Sequence, residues 1–291
     1  MKPPPFAYHA PRTLDEALRF LAEHENAKVL AGGQSLIPLL NMRLAAPAHL
    51  VDINRVAGLD EVEVTSRGVR VGALARHTRV ERDQDVAAAQ PLLRRALRHV
   101  AHPVIRNRGT VVGSLAHADP AAELPAVLAL LGGTVEAASA RGTRTIRAAD
   151  FFAGPLESAL REDELAVGAF FPAAAPRTGT AFAETARRHG DYALAGVAVE
   201  VAADDDLFVR SARAAFLSVG ATPVVLDLTG PARDGQSGRP PGSCDWTDAA
   251  AHVRERLDPE PDIHASAAYR RHLAGVLTLR ALDEATAEAL A

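Results

Sequence analysis

The chain contains very little cysteine and very little lysine. Its 291 residues include one cysteine, Cys244, and two lysines, Lys2 and Lys28. A single thiol excludes an internal disulfide and cannot supply the four thiolates that hold an iron–sulfur cluster. So few lysines also argue against a P-loop and against Schiff-base chemistry. Any iron–sulfur cluster that works with this chain must therefore lie on another subunit.

Charge and hydropathy exclude further classes of protein. The formal net charge is −4, aromatic residues make up 4% of the chain, and no basic stripe is interleaved with aromatics, which argues against nucleic-acid binding. No apolar run approaches the ~20 residues of a membrane span. The segment Met1–Pro5 lacks the apolar core of a signal peptide, so a cytoplasmic location is the default expectation. A hydrophobic content of 48% supports a full core, and the length suggests about two domains.

The histidines and glycines do not form the familiar metal or nucleotide motifs. Among 11 histidines, His99 and His102 are three residues apart, but no acidic or thiol ligand accompanies them. No His-Glu-x-x-His motif occurs, and we predict no metal site. The G-x-G-x-x-G fingerprint of NAD-binding Rossmann proteins is also missing, which disfavours that class.

Two short segments rich in small residues are the main positive signal. The first, Ala31–Ser35 (A-G-G-Q-S), follows a β-like run and precedes an apolar run with Pro38 near its start. The second is Thr110–Ser114 (T-V-V-G-S). Small residues let backbone N–H groups approach a phosphate, so two such segments predict a split site for a dinucleotide pyrophosphate. The alternatives are a plain Gly-Gly turn and a solvated connection in which Asp119 caps the next helix with Pro120 at its first position.

The rest of the chain alternates between helical and strand-like patterns. Thr13 and Glu16 form a capping box that predicts a first helix. Hairpins are predicted over residues 61–74 and 133–146, and further strands over 164–171, 197–201, 214–219 and 224–228. Helices are predicted over 92–100, 247–257 and 266–282, and a loop over 230–243. We expect Arg94, Arg95 and Arg98 to be solvated, and Arg270 and Arg271 to be surface or interface charges.

Together the motifs resemble the FAD-binding medium subunit of the molybdenum hydroxylases, of the carbon monoxide dehydrogenase and xanthine dehydrogenase type. The resemblance runs from about Phe6 to Ala281, with the motifs in family order and at family-like spacing. The segments that carry it are A-G-G-Q-S-L-I-P-L-L-N-M-R-L from Ala31, V-D-I-N from Val51, I-R-N-R-G-T-V-V-G-S-L-A-H-A-D-P-A-A-E-L-P from Ile105, F-A-E-T-A-R-R-H-G-D-Y-A-L-A-G-V-A from Phe182 and A-S-A-A-Y-R-R-H-L-A from Ala265.

The resemblance implies a fold and a division of the chain. The fold would be α+β, with a two-subdomain FAD-binding fold of the vanillyl-alcohol-oxidase/PCMH type followed by a smaller α/β C-terminal domain with an antiparallel sheet. The FAD-binding domain would span residues 1–174, with subdomains of about 1–56 and 57–174. The C-terminal domain, of the carbon monoxide dehydrogenase flavoprotein type, would span 175–291.

The resemblance also implies a non-covalent FAD site in which no side chain acts as a catalytic group, because the flavin carries the chemistry. The two segments would hold the pyrophosphate and nearby ribityl oxygens, Asp119 would accept hydrogen bonds from the ribityl chain, and Tyr192 would lie beside the isoalloxazine ring. The predicted cofactor-binding residues are Ala31, Gly32, Gly33, Gln34, Ser35, Leu36, Thr110, Val111, Gly113, Ser114, His117, Asp119 and Tyr192. His117 could contact the cofactor or make a structural hydrogen bond. Val112 departs from the family, which commonly has glycine at that position.

The function implied by the resemblance is electron transfer. FAD would take electrons from a [2Fe–2S] small subunit and pass them to an external acceptor, in a hetero-oligomer with a molybdopterin-binding large subunit. The alternatives are a self-contained FAD-dependent oxidoreductase and a flavin-less scaffold subunit. The organic substrate, and the choice of NAD+, oxygen, a quinone or another acceptor, stay open.

Overall fold

The N-terminal part of the chain forms a small parallel sheet. The computed structural model describes residues 1–291. Its first elements are β1 (Ala7–His9), α1 (Leu14–Glu23), β2 (Ala27–Leu30), α2 (Leu36–Asn41) and β3 (His49–Asp52). Strand β3 is central and pairs in parallel with both β1 and β2. Because β2 and β3 run the same way, their carboxyl ends meet at one edge of this sheet.

Helix α1 begins where the capping box predicts. The Oγ1 atom of Thr13 accepts a hydrogen bond from the Glu16 N–H at 3.2 Å. The Glu16 carboxylate accepts one from the Arg12 N–H at 2.8 Å, so the reciprocal bond reaches one residue further back than in the standard motif. Leu18 and Leu21 are buried and pack in the core of the N-terminal sheet.

The middle part is a five-stranded antiparallel sheet covered by helices. Its strands are β4 (Val62–Thr65), β5 (Gly68–Gly72), β6 (Thr134–Ser139), β7 (Gly142–Arg147) and β10 (Leu165–Pro172), in the spatial order β4-β5-β10-β6-β7. The helices are α3 (His77–Arg82), α4 (Gln84–Ala89), α5 (Pro91–Leu97), α6 (Pro103–Arg106), α7 (Val111–His117), α8 (Glu123–Leu131) and α9 (Ala148–Phe151). A separate small hairpin joins β8 (Phe152–Gly154) and β9 (Glu157–Ser158). Both predicted hairpins are confirmed as β4–β5 and β6–β7.

The C-terminal part is a four-stranded antiparallel sheet with three helices. Its elements are β11 (Thr178–Ala186), β12 (Ala193–Ala203), β13 (Val209–Leu217), β14 (Val224–Asp227), α10 (Thr229–Gln236), α11 (Thr247–Arg256) and α12 (Ala267–Ala289). Alternate residues of the sheet enter different cores: Val197 and Val199 pack in the core that includes α12, whereas Ala198 packs in the core that includes α8. This mixture of helices with antiparallel sheets confirms the predicted α+β class. None of the helices combines the length and apolar composition that a bilayer span requires.

Two sequence-based expectations about surface segments are wrong. The predicted loop 230–243 is partly helical, because α10 extends to Gln236, whose side-chain amide binds both the N–H and the C=O of Val209. Ala232 is fully buried on the same helix, so tertiary contacts override its weak helix propensity. Arg270 is also buried, where its guanidinium donates to the C=O groups of Leu194 and Ser218 and pairs with Asp262.

Arg95 joins the middle part to the C-terminal helix and is not solvated as expected. Its guanidinium makes two hydrogen bonds to the Glu288 carboxylate, at 2.7 and 2.8 Å. Glu288 also accepts the backbone N–H of Thr180 at 2.8 Å. Because one carboxylate binds groups from α5 and β11, the ion pair fixes α12 against both elements. A hydrophobic helical pattern does not reveal such partners, which lie far away in sequence.

Candidate cofactor-binding site

The first small-residue segment lies at the carboxyl edge of the N-terminal sheet. Ala31 and Gly32 follow β2 directly, and Gly33 adopts a positive φ of 72° that favours glycine. The backbone N–H groups of residues 32–36 donate no hydrogen bond to another protein group. Ser35 precedes α2 and makes no capping bond with its hydroxyl, while the side-chain amide of Gln34 donates to the Gly32 C=O at 3.2 Å. A run of free N–H groups before a helix is a donor set suited to an anion.

The second segment is the start of a helix and not a loop. Thr110 is the N-cap of α7, and its Oγ1 accepts the Gly113 N–H at 3.1 Å. The N–H groups of Val111 and Ser114 bind the C=O groups of Ala75 and Thr110. Most N–H groups of this segment therefore donate hydrogen bonds within the protein. In the first turn of α7, the Val112 N–H is the group without an acceptor. The first segment thus offers the larger donor set.

Val112, the departure from the family pattern, is 2% exposed and belongs to the main hydrophobic core. Val111 and Leu115 are fully buried in the same core. The valine methyl groups are therefore packed inside the domain.

At Gly32, the first segment is in direct contact with Arg108 and Gly109, the residues that lead into the second segment. A Cβ atom added there would collide with the Arg108 carbonyl oxygen and would lie 2.8 Å from the Cα of Gly109. Only glycine allows this approach, because the obstacles are backbone atoms that cannot rotate away. The chain just before the second segment therefore lies against the first segment, and the shared cofactor site stays a prediction.

Asn54 and Arg76, which we call the bridging pair, hold the segments together. The Asn54 side-chain amide donates to the Ala31 C=O at 2.8 Å, and the Arg76 guanidinium donates to the Asn54 side-chain oxygen at 2.6 Å. The same guanidinium donates to the Arg108 C=O. Burial, followed by the nearby charge of Arg108, lowers the pKa of Arg76 below its usual value. The bridging pair therefore connects Ala31 of the first segment to Arg108, two residues before the second segment, through three hydrogen bonds.

Asp52 and Tyr8 fix the orientation of the bridging pair through hydrogen bonds to Asn54 and to each other. The Asp52 carboxylate accepts both the backbone N–H and the side-chain amide of Asn54, at 2.9 and 2.6 Å, and accepts the Tyr8 hydroxyl at 2.6 Å. Burial alone would raise the pKa of Asp52, but these hydrogen bonds outweigh it and hold the pKa below the usual value. Asp52 therefore stays ionised, and it fixes the orientation of the Asn54 amide.

Asp119, His117 and Tyr192 lie close together beyond the end of α7. The Nε2 atom of His117 is 3.9 Å from an Asp119 carboxylate oxygen. The Tyr192 side chain is exposed, and its pKa is raised by desolvation of its hydroxyl and by the neighbouring carboxylates of Asp119 and Glu123. The alternative in which Asp119 caps the next helix is wrong: Asp119 accepts the Ala121 N–H at 2.8 Å in a local turn, and α8 begins only at Glu123.

Several residues that organise the site gave little sequence signal. Asn54 lies within the V-D-I-N motif, where an Asp-x-Asn pair after a strand could have suggested a shared role. Arg76 has no motif of its own. Arg106 is buried and binds the Glu81 carboxylate at 2.8 Å and the Val100 C=O at 2.9 Å, so it supports the chain that leads into the second segment.

Comparison with known proteins agrees with the geometry. Residues 4–174 match the model of the FAD binding domain in molybdopterin dehydrogenase, and residues 180–285 match that of the CO dehydrogenase flavoprotein C-terminal domain. The beta subunit of caffeine dehydrogenase from Pseudomonas sp. is 40% identical over 98% of this chain and 96% of its own length. The medium chain of carbon monoxide dehydrogenase from Hydrogenophaga pseudoflava is 34% identical over 99% of each chain. The solved structure of quinoline 2-oxidoreductase from Pseudomonas putida 86 superposes with a TM-score of 0.90 at 38% identity, covering 100% of both chains.

The fold and these similarities define an oxidoreductase subunit of the flavoprotein class. The chain belongs to the family of FAD-binding medium subunits of molybdenum hydroxylases, which includes carbon monoxide dehydrogenase medium chains and xanthine dehydrogenase FAD-binding subunits. The family resemblance read from the motifs is confirmed.

His77 is a buried histidine beside the start of the second segment. Its imidazole is 5% exposed, and neither ring nitrogen has a partner at full hydrogen-bond geometry, although the nearby Thr110 backbone partly offsets the effect of burial on its pKa. The ring packs on Gly109, where an added Cβ would lie 2.8 Å from Nδ1. Burial lowers the pKa of His77 from 6.5 to about 4. The folded protein therefore holds this histidine neutral.

We predict that His77 makes the folded state acid-sensitive. Because the folded pKa is depressed, the unfolded chain binds the proton more readily, so stability is lost as the pH falls from 6.5 towards about 4. At about 1.4 kcal/mol per pKa unit, the loss approaches roughly 3 kcal/mol. Urea unfolding at several pH values measures the free energy of unfolding of the wild type and of His77→Leu. On acidification, the wild-type value should fall by that amount relative to the variant. A constant difference across this range would contradict the neutral buried imidazole.

Proposed function

We propose that the chain binds one FAD non-covalently and passes electrons from a [2Fe–2S] partner subunit through it to an external acceptor. The observation that carries this proposal is the run of unpaired N–H groups over residues 32–36, held against the second segment by the bridging pair. Several N–H groups directed to one place suit a pyrophosphate, and each charge-assisted bond would contribute ~1.5–3 kcal/mol. A cavity of about 330 Å³ beside the bridging pair, lined in part by Arg55, Leu74 and Arg76, offers room for one end of a dinucleotide.

The residues of the site have separate roles in this proposal. The first segment, from Ala31 to Leu36, binds the pyrophosphate. The second segment contributes the Val112 N–H, the Ser114 hydroxyl and the start of α7, with Thr110, Val111 and Gly113 shaping that turn. Asp119, with His117 near its carboxylate, accepts hydrogen bonds from the ribityl chain, and Tyr192 covers the isoalloxazine ring. Bound FAD supplies the redox chemistry, while the protein holds and orients it. We assign this binding to residues 1–174 and place the C-terminal domain at 175–291.

The partners follow from what the chain lacks and from its relatives. A chain with one cysteine cannot bind a [2Fe–2S] cluster with four thiolates, so a small subunit must carry the cluster. We infer that a large subunit carries molybdopterin and that the three chains form a hetero-oligomer. Relatives of similar sequence are named for caffeine and for carbon monoxide, which supports a substrate site that lies outside this chain.

We predict that Gly32→Ala lowers FAD affinity, because the new Cβ meets the Arg108 backbone and separates the two segments. Loss of one to two N–H contacts should weaken binding about 10- to 100-fold. Flavin fluorescence during titration of the FAD-free chain measures the dissociation constant.

Asp119→Ala should also weaken binding, and Asp119→Asn less so, because the amide keeps one acceptor oxygen.

Gly230→Ala is the matched control for this experiment. Gly230 lies in α10, where an added Cβ has no neighbour within 4 Å, so this variant should bind FAD like the wild type. Thermal unfolding of each protein identifies a general loss of folding. Equal FAD affinity for Gly32→Ala and Gly230→Ala, in folded proteins, would show that the paired segments are not the site.

We predict that the isolated, FAD-loaded chain does not oxidise an organic substrate. It should be reduced by dithionite or NADH and reoxidised by an artificial acceptor. Substrate-dependent reduction of its flavin should appear only after addition of the molybdopterin and [2Fe–2S] subunits, with which it should co-purify. Stopped-flow absorbance of the flavin measures this dependence.

Two results would replace this function with another. Turnover of an organic substrate by the chain alone would identify a self-contained FAD-dependent oxidoreductase. Co-purification with the other subunits but no FAD, even after incubation with excess cofactor, would identify a flavin-less scaffold.

A further inference from the structure

Three histidines meet at the N-terminal sheet. His9 ends β1, His24 directly follows α1, and His49 begins β3. We call them the histidine cluster. The Nε2 atom of His9 is 3.3 Å from the Nδ1 atom of His49. The ring centre of His24 is 4.9 Å from that of His49 and 6.1 Å from that of His9. Three titratable rings therefore share one half-buried site.

Hydrogen bonds and ring contacts hold the uncharged cluster together. Between neutral rings of His9 and His49, one nitrogen donates and the other accepts, so their 3.3 Å contact is a hydrogen bond. The Nδ1 atom of His24 is 3.1 Å from the Phe20 C=O, and its ring stacks on the Phe20 ring with the centroids 3.9 Å apart. The His9 ring packs on Phe20 at the same centroid distance. The cluster therefore joins β1 to both α1 and β3.

A second proton on the facing rings opposes this contact. When both His9 and His49 are protonated, both facing nitrogens are donors, so the hydrogen bond is lost and two positive charges lie 3.3 Å apart. Burial, followed by the charges of His49 and His24, lowers the pKa of His9 below 6.5. No carboxylate forms an ion pair with the cluster, because the histidine ion pairs of this protein involve His99 and His117. Acid therefore weakens the attachment of β1.

Strand β1 connects the histidine cluster to the candidate cofactor site. Tyr8, the residue before His9, donates its hydroxyl to the Asp52 carboxylate at 2.6 Å. Asp52 accepts the side-chain amide of Asn54, which also donates to the Ala31 C=O at 2.8 Å. Strand β1 has three residues and lies at the edge of its sheet, where it pairs with β3 alone. Detachment of β1 therefore removes a hydrogen bond that orients the bridging pair.

We propose that the histidine cluster is a proton-sensitive clamp, which keeps β1 and Tyr8 in place while at most one of the facing rings, His9 and His49, is charged. This inference rests on the proposed FAD function. Detached β1 leaves both rings free to take up protons, so protonation favours the detached form. Because the pKa of His9 is depressed in the docked form, FAD affinity is complete above pH 6.5 and is lost as the pH falls below it.

The first test examines the histidine cluster in the FAD-free chain. Nitrogen-15 NMR of the histidine rings should show His9 titrating below pH 6.5, and its pKa should rise in His49→Asn, because a neighbouring positive charge is removed. His272→Gln, which replaces an exposed histidine of α12, is the control and should leave the His9 titration unchanged. The same His9 titration in the wild type and in His49→Asn would overturn the clamp.

The second test measures the FAD dissociation constant by flavin fluorescence from about pH 7.5 to about pH 5.5. The wild type and His272→Gln should lose up to about 10-fold in affinity per pH unit below 6.5, the limit for one linked proton. His49→Asn should bind like the wild type at the upper pH and show a flatter profile. Tyr8→Phe should bind more weakly at the upper pH and also show a flatter profile, because the hydroxyl that reaches Asp52 is gone.

The comparison among these four proteins separates the clamp from other effects of acid. All four retain His77, so its acid sensitivity contributes equally to each profile. Circular dichroism at each pH identifies the range in which all of them are folded. Parallel affinity profiles of the four proteins within that range would overturn the clamp alone. A folded wild type that binds no FAD at any pH would overturn the proposed function as well.

Discussion

The contact between Arg76 and Asn54 is the interaction on which the site depends. It ties the Ala31 carbonyl of the first segment to the Arg108 carbonyl just before the second, although the segments are separated by more than 70 positions in the chain. Neither segment could form a dinucleotide site alone: the first has free donors but is a short turn, and the second is a rigid helix start whose N–H groups are mostly bonded. Joining them places a set of free donors beside the start of a packed helix.

The rest of the fold stabilises the Arg76–Asn54 contact by burying the elements that surround it. Helix α8 is apolar around almost its whole circumference and lies between the middle and C-terminal sheets, in the same core as Val111, Val112 and Leu115 of α7. The Arg95–Glu288 ion pair holds the C-terminal helix against the same helical layer. The C-terminal part thereby brings Tyr192 to the groups at the start of α8. A site that uses residues from three parts of the chain needs this rigidity.

Sequence patterns predicted the elements well where the signal was local. The Thr13 cap, both hairpins and the apolar helices are confirmed, because capping, turn chemistry and periodicity act over a few residues. The motifs also identified the family correctly. The failures concern long-range partners: Arg95 and Arg270 were expected in solvent, but carboxylates and carbonyls distant in sequence bind them. The sequence also did not reveal that the second segment begins a helix at Val111, because its glycine and hydroxyl residues suit a turn as well as an N-cap.

Hydrogen–deuterium exchange of the chain with and without FAD tests the central claim most directly. The amides of residues 32–36 have no protein acceptor, so they should exchange rapidly in the FAD-free chain and slowly once FAD is bound. Protection should also appear at Val112 and should be absent from α10 and α11, which lie outside the proposed site. Unchanged exchange over residues 32–36 in a chain saturated with FAD would contradict the account.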